Sequence, residues 1–275
     1  MPQEFKEFLI NVISFAKNSP LFQELQRGID TLDSMGVNST SDLLELLQSK
    51  ETDLTLRRQI VSLLTLIGYQ PAIPFLIEIA QNKEEDSSIR RSALVNLTTF
   101  DREKAFQILS DLALFDSNTQ IREMTISILH LVPIEPCVDL LLKILQSDTE
   151  PLIRSQAIHA IGLITIPYSL IAVGTLMLIL DDENEVSVVR AYAAEVLGLL
   201  KYQPAASHIV KYLGDVSPSV RYMCAYSLGL LGNKSQIPLL ENLTSDEAVF
   251  EGWGTVADAA KEGIEEIIGR NQHDV

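Results

Sequence analysis

Hydrophobic positions recur regularly along this chain. At six places an aliphatic residue is followed directly by arginine, and successive arginines are 33, 32, 32, 36 and 31 residues apart. Small or aliphatic residues also stand three and seven places after each arginine. Positions −1, +3 and +7 lie on one face of an α-helix, so each period predicts a helix with one buried stripe. The pairs are Leu56-Arg57, Ile89-Arg90, Ile121-Arg122, Ile153-Arg154, Val189-Arg190 and Val220-Arg221.

A shorter segment rich in leucine and isoleucine precedes each of these helices. Several of the segments contain proline near their start, which suits a first helical turn. A polar turn separates each segment from the arginine-bearing helix, so every period predicts a helix–turn–helix unit. The predicted first helices span residues 42–48, 73–81, 102–114, 136–146, 169–180 and 205–213.

Glycine stands eight places after the arginine in the later periods. Glycine inside a helix costs about 1 kcal/mol relative to alanine, so we expect a crowded neighbouring helix at these positions. The three glycines are Gly162, Gly198 and Gly229.

The period fails near both ends of the sequence. Helices are predicted at 4–17 and 20–35 without the arginine pattern, and a more polar helix at 255–268 follows Asp246, which has glycine six places later. Stacked repeats need end caps that cover their apolar faces. We therefore predict an all-α, right-handed α-α superhelix of about seven helix pairs in one solenoid domain. Its parts are an N-terminal cap (1–36), regular repeats (37–233), and a divergent last repeat with a C-terminal cap (234–275).

A polar or acidic residue stands six places before each arginine: Glu51, Glu84, Asp116, Asp148, Asn184 and Asp215. A guanidinium has five donors in a fixed geometry, which can satisfy turn carbonyls and a carboxylate together. A row of anion-binding arginines is the alternative, which the regular acidic partner disfavours. The residues interpreted as structural are Arg57, Arg90, Arg122, Arg154, Arg190 and Arg221, with Asp116, Asp148 and Asp215.

The charge balance bears on the class of partner. The chain has 37 acidic and 21 basic residues and a net charge of −16. Nucleic-acid binding requires a basic face, and anionic lipid also attracts basic segments, so neither is expected as a partner. The acidic excess is compatible with a basic protein or peptide.

Cysteine content and the first residues bear on the compartment. Cys137 and Cys224 are far apart and lack metal-site spacing, so we expect free thiols in a reducing compartment. Residues 1–8 carry charges and lack the layout of a signal peptide. We therefore expect a cytoplasmic protein.

Residues 160–180 contain no charged side chain and are about long enough to cross a bilayer. Pro167 interrupts this stretch at a repeat boundary, and the repeat pattern continues through it. We therefore expect two consecutive buried helices instead of a membrane span.

The repeats resemble HEAT repeats, and more narrowly the short HEAT-like repeats of phycobilisome (bilin) lyases. The resemblance covers about residues 40–268, and its clearest examples run from Asp148 to Gly162, from Val189 to Gly198 and from Val220 to Gly229. It implies that the second helices line a concave face and that the arginines and aspartates are largely structural.

Signatures of an enzyme are mostly absent. The sequence contains no phosphate-binding loop of the Gly-x4-Gly-Lys kind and no Gly-x-Ser-x-Gly elbow. His130, His159, His208 and His273 form no His-Glu pair, whereas deoxyhypusine hydroxylase, built on similar repeats, relies on such motifs. We therefore expect no catalytic residue, no metal and no cofactor, and we interpret Cys224 as a buried structural thiol.

The exposed side of the second helices carries the candidate binding residues. If the resemblance holds, positions +2 and +5 from each arginine approach the concave face, and this face gains aromatic residues toward the C-terminus. Aromatic side chains near an acid suit recognition; the alternative is that they pack between repeats and that Trp253 seals the end. The candidates are Gln156, His159, Tyr192, Glu195, Tyr222, Met223, Tyr226 and Trp253.

Two functions remain open from the sequence. The first is a non-enzymatic scaffold or adaptor that binds a partner protein or peptide along the concave second-helix face. The second, which only the family resemblance supports, is a phycobilin lyase subunit or a related chromophore-handling factor. The pattern does not decide between a chain that acts alone and one half of a heterodimer.

Overall fold

The computed structural model describes residues 1–100, 102–132, 135–164 and 168–273. Their regular structure is almost entirely α-helical, which confirms the predicted class. They form two compact units, Met1–Thr125 and Ile126–Val275. The single solenoid domain with capped ends stays a prediction.

The first unit begins with a helix pair and continues with three arginine-bearing pairs, the last of which crosses its boundary. The helices are α1 (Gln3–Ile13), α2 (Pro20–Ser34), α3 (Thr40–Gln48), α4 (Leu54–Ile67), α5 (Ile73–Gln81), α6 (Ser87–Phe100), α7 (Arg102–Phe115) and α8 (Thr119–Ile128).

The second unit continues the helix pairs and adds one small β-hairpin near its end. Its helices are α9 (Glu135–Ser147), α10 (Pro151–Leu163), α11 (Val173–Asp181), α12 (Ser187–Leu199), α13 (Ala206–Ile209), α14 (Pro218–Leu231), α15 (Ile237–Glu241) and α16 (Val256–His273). The hairpin pairs β1 (Val249–Phe250) with β2 (Gly254–Thr255) in antiparallel orientation.

The predicted first helices are present, and 73–81 has the predicted bounds. Two of them are shorter than predicted because part of each forms a 3-10 turn, at Tyr168–Ala172 and at Val210–Tyr212. The predicted break at Pro167 lies outside the described residues. The uncharged stretch 160–180 contains the end of α10 and most of α11. Within the described ranges, every helix is too short or too polar to span a bilayer.

The predicted buried stripe is confirmed in all six repeats. Positions −1, +3 and +7 from each arginine are at most 6 % exposed. In the second unit this stripe lets consecutive second helices stack, with α10 against α12, α12 against α14 and α14 against α16. In the first unit α4 packs against α6 in the same way, and α1 and α2 both contact α4.

The expected crowding at the three glycines is also confirmed. A methyl group on Gly162 would stand 3.1 Å from Cγ2 of Val196, and one on Gly198 would stand 2.7 Å from Cβ of Ser227. A methyl group on Gly229 would stand 2.7 Å from Cα of Gly263. Each glycine therefore lets a second helix approach the next second helix closely.

The arginines join turns of consecutive repeats. In three repeats Nε donates to the carbonyl ten places earlier, as Arg90 does to Ala80 at 2.9 Å. In the other three, Nη1 donates to the carbonyl six places earlier, as Arg154 does to Asp148 at 3.0 Å. In these last three repeats the residue at −6 therefore accepts through its main-chain carbonyl, and not through the predicted side chain.

The carboxylate partner comes instead from the turn of the following repeat. The bridges are Arg57 to Glu85, Arg90 to Asp116, Arg154 to Glu185, Arg190 to Asp215 and Arg221 to Asp246, with shortest distances of 2.6–2.8 Å. Local spacing misidentified the partner because the contact spans a whole repeat.

The bridge from Arg90 to Asp116 is the most buried of these, with side chains 3 % and 1 % exposed. Burial acts to raise the pKa of Asp116, but the hydrogen bonds from Arg90 and from the Asn118 amide outweigh it and lower that pKa. Asp116 is therefore held ionised between two repeats.

Replacing Arg90 should destabilise the protein strongly. Arg90→Met leaves the Asp116 carboxylate buried without its counter-ion, so we expect a loss of about 3–5 kcal/mol in the free energy of unfolding. Arg91→Met, at the exposed neighbouring position, is the control and should change it by less than about 0.5 kcal/mol. Urea denaturation measures both, and equal losses would contradict a structural role for the bridge.

Replacing Gly229 should separate two helices. Gly229→Ala places a methyl group against the α16 backbone, and we expect a loss of about 1–3 kcal/mol. Gly269→Ala in α16 is the matched control, because its methyl group would meet no atom within 4 Å. Alanine is the better helix former, so this control should be neutral or stabilised by up to about 1 kcal/mol. Equal urea midpoints for the two variants would contradict the close packing.

Candidate functional site

The second unit contains a cleft of about 470 Å³ that is lined mainly by two consecutive second helices, α10 and α12. Five of the eight predicted binding residues line it. α10 contributes side chains at +2 and +5 from Arg154, and α12 contributes those at +2 and +5 from Arg190. The lining residues are Leu152, Ser155, Gln156, His159, Val188, Tyr192, Glu195 and Trp253.

Glu195 is the acidic group of this cleft. The residue is only 7 % exposed, and its Oε2 has no hydrogen-bond partner among the described residues. Burial raises the pKa of its carboxyl above the ordinary value, since removal from water disfavours the charged form. Burial, followed by the charge on Glu195, raises the pKa of Tyr192.

The β-hairpin holds Trp253 at the cleft. The rings of Phe250 and Trp253 stack with centroids 6.1 Å apart and planes 10° apart. Gly252, with a φ of +83°, makes the turn that a side chain would strain. Trp253 is 46 % exposed, so a fixed aromatic ring faces solvent beside Glu195. The segment 250–254 thus forms the ordered turn of the hairpin.

Tyr222 and Met223 do not lie on the accessible face, contrary to expectation. Met223 is fully buried, and Tyr222 is 6 % exposed. The Tyr222 ring packs against Phe250 and Trp253, and its hydroxyl donates to the Trp253 carbonyl at 3.3 Å. Because α14 packs against the hairpin and α16, the buried Tyr222 side chain contacts Trp253 and helps to hold it in place.

Tyr226 lines a neighbouring acidic depression of about 580 Å³. Burial, and then the charges on Glu195, Glu266 and Glu262, raise the pKa of its phenol. The other side chains of the depression come mainly from α16 and include Glu265 and Arg270. Tyr226 is therefore affected by the cleft carboxylate and by the acidic side chains of α16.

The cysteines and the potential metal ligands do not form a second candidate site among the described residues. Cys137 is buried, and its thiol donates to the Val132 carbonyl at 2.8 Å. Cys224 is also buried, and burial raises the pKa of its thiol, which disfavours the reactive thiolate. Among the described residues, no group of three or more His, Cys, Asp or Glu side chains is arranged to hold a metal ion.

A depression of about 600 Å³ in the first unit is a weaker candidate for a binding site. Its Asp53 already accepts from the amides of Thr55 and Leu56 as the N-cap of α4. Its Gln59 donates to the Glu24 carbonyl at 2.9 Å. The depression has no aromatic lining, so the cleft of the second unit is the better candidate site.

Comparison with known proteins identifies the class. A family model described as HEAT repeats matches residues 40–130 and 173–251, which is more than half of the chain. The chain therefore belongs to the HEAT-repeat family, which confirms the predicted resemblance and the α-α superhelical class. A search of curated proteins gives no match.

Several solved structures share the fold at low identity. Escherichia coli YibA is 20 % identical, covering 87 % of this chain and 96 % of its own, with a TM-score of 0.50. Kap121p bound to Nup53p is 14 % identical, covering 98 % of this chain and 33 % of its own, with a TM-score of 0.53. The CpcE–CpcF complex of phycocyanin lyase from Nostoc sp. PCC7120 is 18 % identical, covering 84 % and 95 %, with a TM-score of 0.41. The likeness to YibA and to Kap121p shows the fold alone.

Replacing Glu195 should raise stability near neutral pH. A folded-state pKa above the unfolded value means that ionisation opposes folding; this penalty is absent below the unfolded pKa and grows as pH rises through the folded pKa. We expect Glu195→Gln to raise the melting temperature by about 2 °C at about pH 7, and not at about pH 4. Glu241→Gln, at an exposed carboxylate of α15, is the control. A pH-independent difference would contradict a buried, ionisable Glu195.

Proposed function

We propose that this chain is a non-enzymatic protein-interaction scaffold. It holds a segment of a partner protein in the cleft formed by α10, α12 and Trp253. The observation that carries the proposal is the composition of the cleft. Aromatic and aliphatic groups there surround a buried carboxylate whose Oε2 has no hydrogen-bond partner among the described residues.

Binding energy at protein interfaces concentrates in a few residues, among which tryptophan and tyrosine are enriched. Trp253 and Tyr192 are of this kind, and the hairpin and α12 fix their positions before a partner arrives. Rigid side chains lose little entropy on binding, so they suit an interface better than mobile ones. The acidic depression beside Tyr226 would extend the contact along successive second helices.

The comparisons support a scaffold in general terms. Kap121p, which shares the fold, has been solved bound to the protein Nup53p. Family members expose long faces on which partners bind, as repeat arrays do in general. The proposed partner is a protein or peptide, which includes the second chain of a heterodimer. The net charge of −16 disfavours nucleic acid.

The proposed compartment is the cytoplasm. Cys224 is a free thiol, which suits a reducing environment, and the proposal rests on that chemistry alone.

A bilin-handling role has weaker support. An open-chain tetrapyrrole carries carboxylate groups, and no lysine or arginine is among the residues that line the cleft. The Glu195 carboxylate would repel such a ligand. Mixing the protein with a bilin should therefore leave the absorbance of the bilin unchanged, and a saturable spectral change would favour the lyase role instead.

Site-specific cross-linking tests the scaffold. A photo-reactive amino acid at Gln156 should capture a defined partner from native lysate, whereas the same group at Phe115, 71 % exposed in the first unit, should not. The captured protein is then identified and its affinity measured by calorimetry.

The double variant Tyr192→Ala with Trp253→Ala should weaken the binding of that partner by at least about 30-fold, which corresponds to about 2 kcal/mol. Phe115→Ala is the matched aromatic control and should leave affinity unchanged. Melting temperatures are compared first, because a double variant that unfolds would show that the rings serve packing. Equal capture at both positions would contradict the proposal.

A further inference from the structure

The buried position of the Glu195 carboxylate disfavours folding when no partner is bound. An ionised group removed from water is strongly disfavoured unless it is paired or fully hydrogen-bonded. Glu195 is 7 % exposed, its Oε2 has no hydrogen-bond partner, and it forms no salt bridge within the described part of the chain. A neutral residue would fill the same place in α12 without this penalty.

The groups around Glu195 do not compensate its charge. His159 faces the cleft from α10, Tyr192 from α12 itself, and Tyr226 lies within electrostatic range on α14. The carboxylates that affect Tyr226 from α16, those of Glu262 and Glu266, add further negative charge. The cleft therefore has a negative potential that no fixed cation of its own lining neutralises.

The walls of the cleft suit a cation on a flexible apolar stem. The faces of tryptophan and tyrosine rings attract ammonium and guanidinium groups, and Trp253 and Tyr192 lie in the same cleft as the carboxylate. Leu152, 50 % exposed, and Val188 add an aliphatic surface. Lysine and arginine side chains combine these properties, since an apolar stem carries the charged group.

We infer that the cleft takes a lysine or arginine side chain of the partner protein, which rests on the proposed function of the cleft as a protein-binding site. The cationic group pairs with Glu195 between Tyr192 and Trp253, and its stem lies along Leu152 and Val188. The acidic depression and the net charge of −16 attract a basic segment to this face and speed its association.

Short peptides test the inference on the full chain. The probe is acetyl-Gly-Leu-Lys-Leu-Gly-amide, with arginine and acetyl-lysine versions. Trp253 is the only tryptophan of the sequence, so its fluorescence reports directly on the cleft. We expect saturable changes with the lysine and arginine peptides, and at least tenfold weaker binding of the acetyl-lysine peptide.

The matched variants isolate the carboxylate. Glu195→Gln should weaken the binding of the lysine peptide at least tenfold, so that the lysine and acetyl-lysine peptides bind with similar affinity. Glu241→Gln removes the same charge from an exposed site of the same unit, so its effect should stay within twofold. Because the acetyl-lysine comparison uses the unaltered protein, a variant that fails to fold leaves the test intact.

The outcomes separate this inference from the proposed function. Equal binding of the lysine and acetyl-lysine peptides, no binding of either, or unchanged affinity in Glu195→Gln would overturn it. If a partner still cross-links at Gln156 in that case, the scaffold stands without the cationic contact. If the lysine peptide binds and no partner is captured, the cationic contact stands and the scaffold role fails.

Discussion

The arginine bridge between turns is the interaction on which the rest of each unit depends. One guanidinium satisfies a carbonyl of its own turn and a carboxylate of the next, so it fixes the distance between consecutive repeats. In the later repeats that distance brings each second helix against the next at a glycine. The cleft follows from the same register, because it needs Gln156 and His159 of α10 beside Tyr192 and Glu195 of α12.

Much of this could be predicted from local spacing. The helical period is a property of neighbouring residues, so positions −1, +3 and +7 identified the core, and +2 and +5 identified four side chains of the cleft. The carboxylate partner of Arg57 was missed, because Glu85 lies 28 residues away and no local rule selects it over Glu84. The glycines around Trp253 were the available signal for the hairpin turn.

The exceptions lie where the repeat pattern ends. Met223 occupies the same helical offset as Tyr192, yet it is fully buried, in a helix that packs against the hairpin and α16 as well as against α12. Burial there depends on which element follows, and periodicity carries no such information. The cleft thus forms between α10, α12 and the hairpin residue Trp253, and it contains a buried carboxyl group whose pKa is raised.

The last bridge has a consequence for how such an array terminates. A regular repeat can take part in two bridges. Its turn provides a carboxylate for the arginine of the preceding repeat, and its own arginine pairs with the turn of the following repeat. Asp246 receives the bridge from Arg221, but its own repeat has Gly252 six places later, where the regular repeats that share this spacing have arginine. The turn at Asp246 therefore receives a bridge, and its own matching position carries no arginine to continue the series. The glycine that stands in place of the arginine has a φ of +83° and helps to turn the chain toward Trp253.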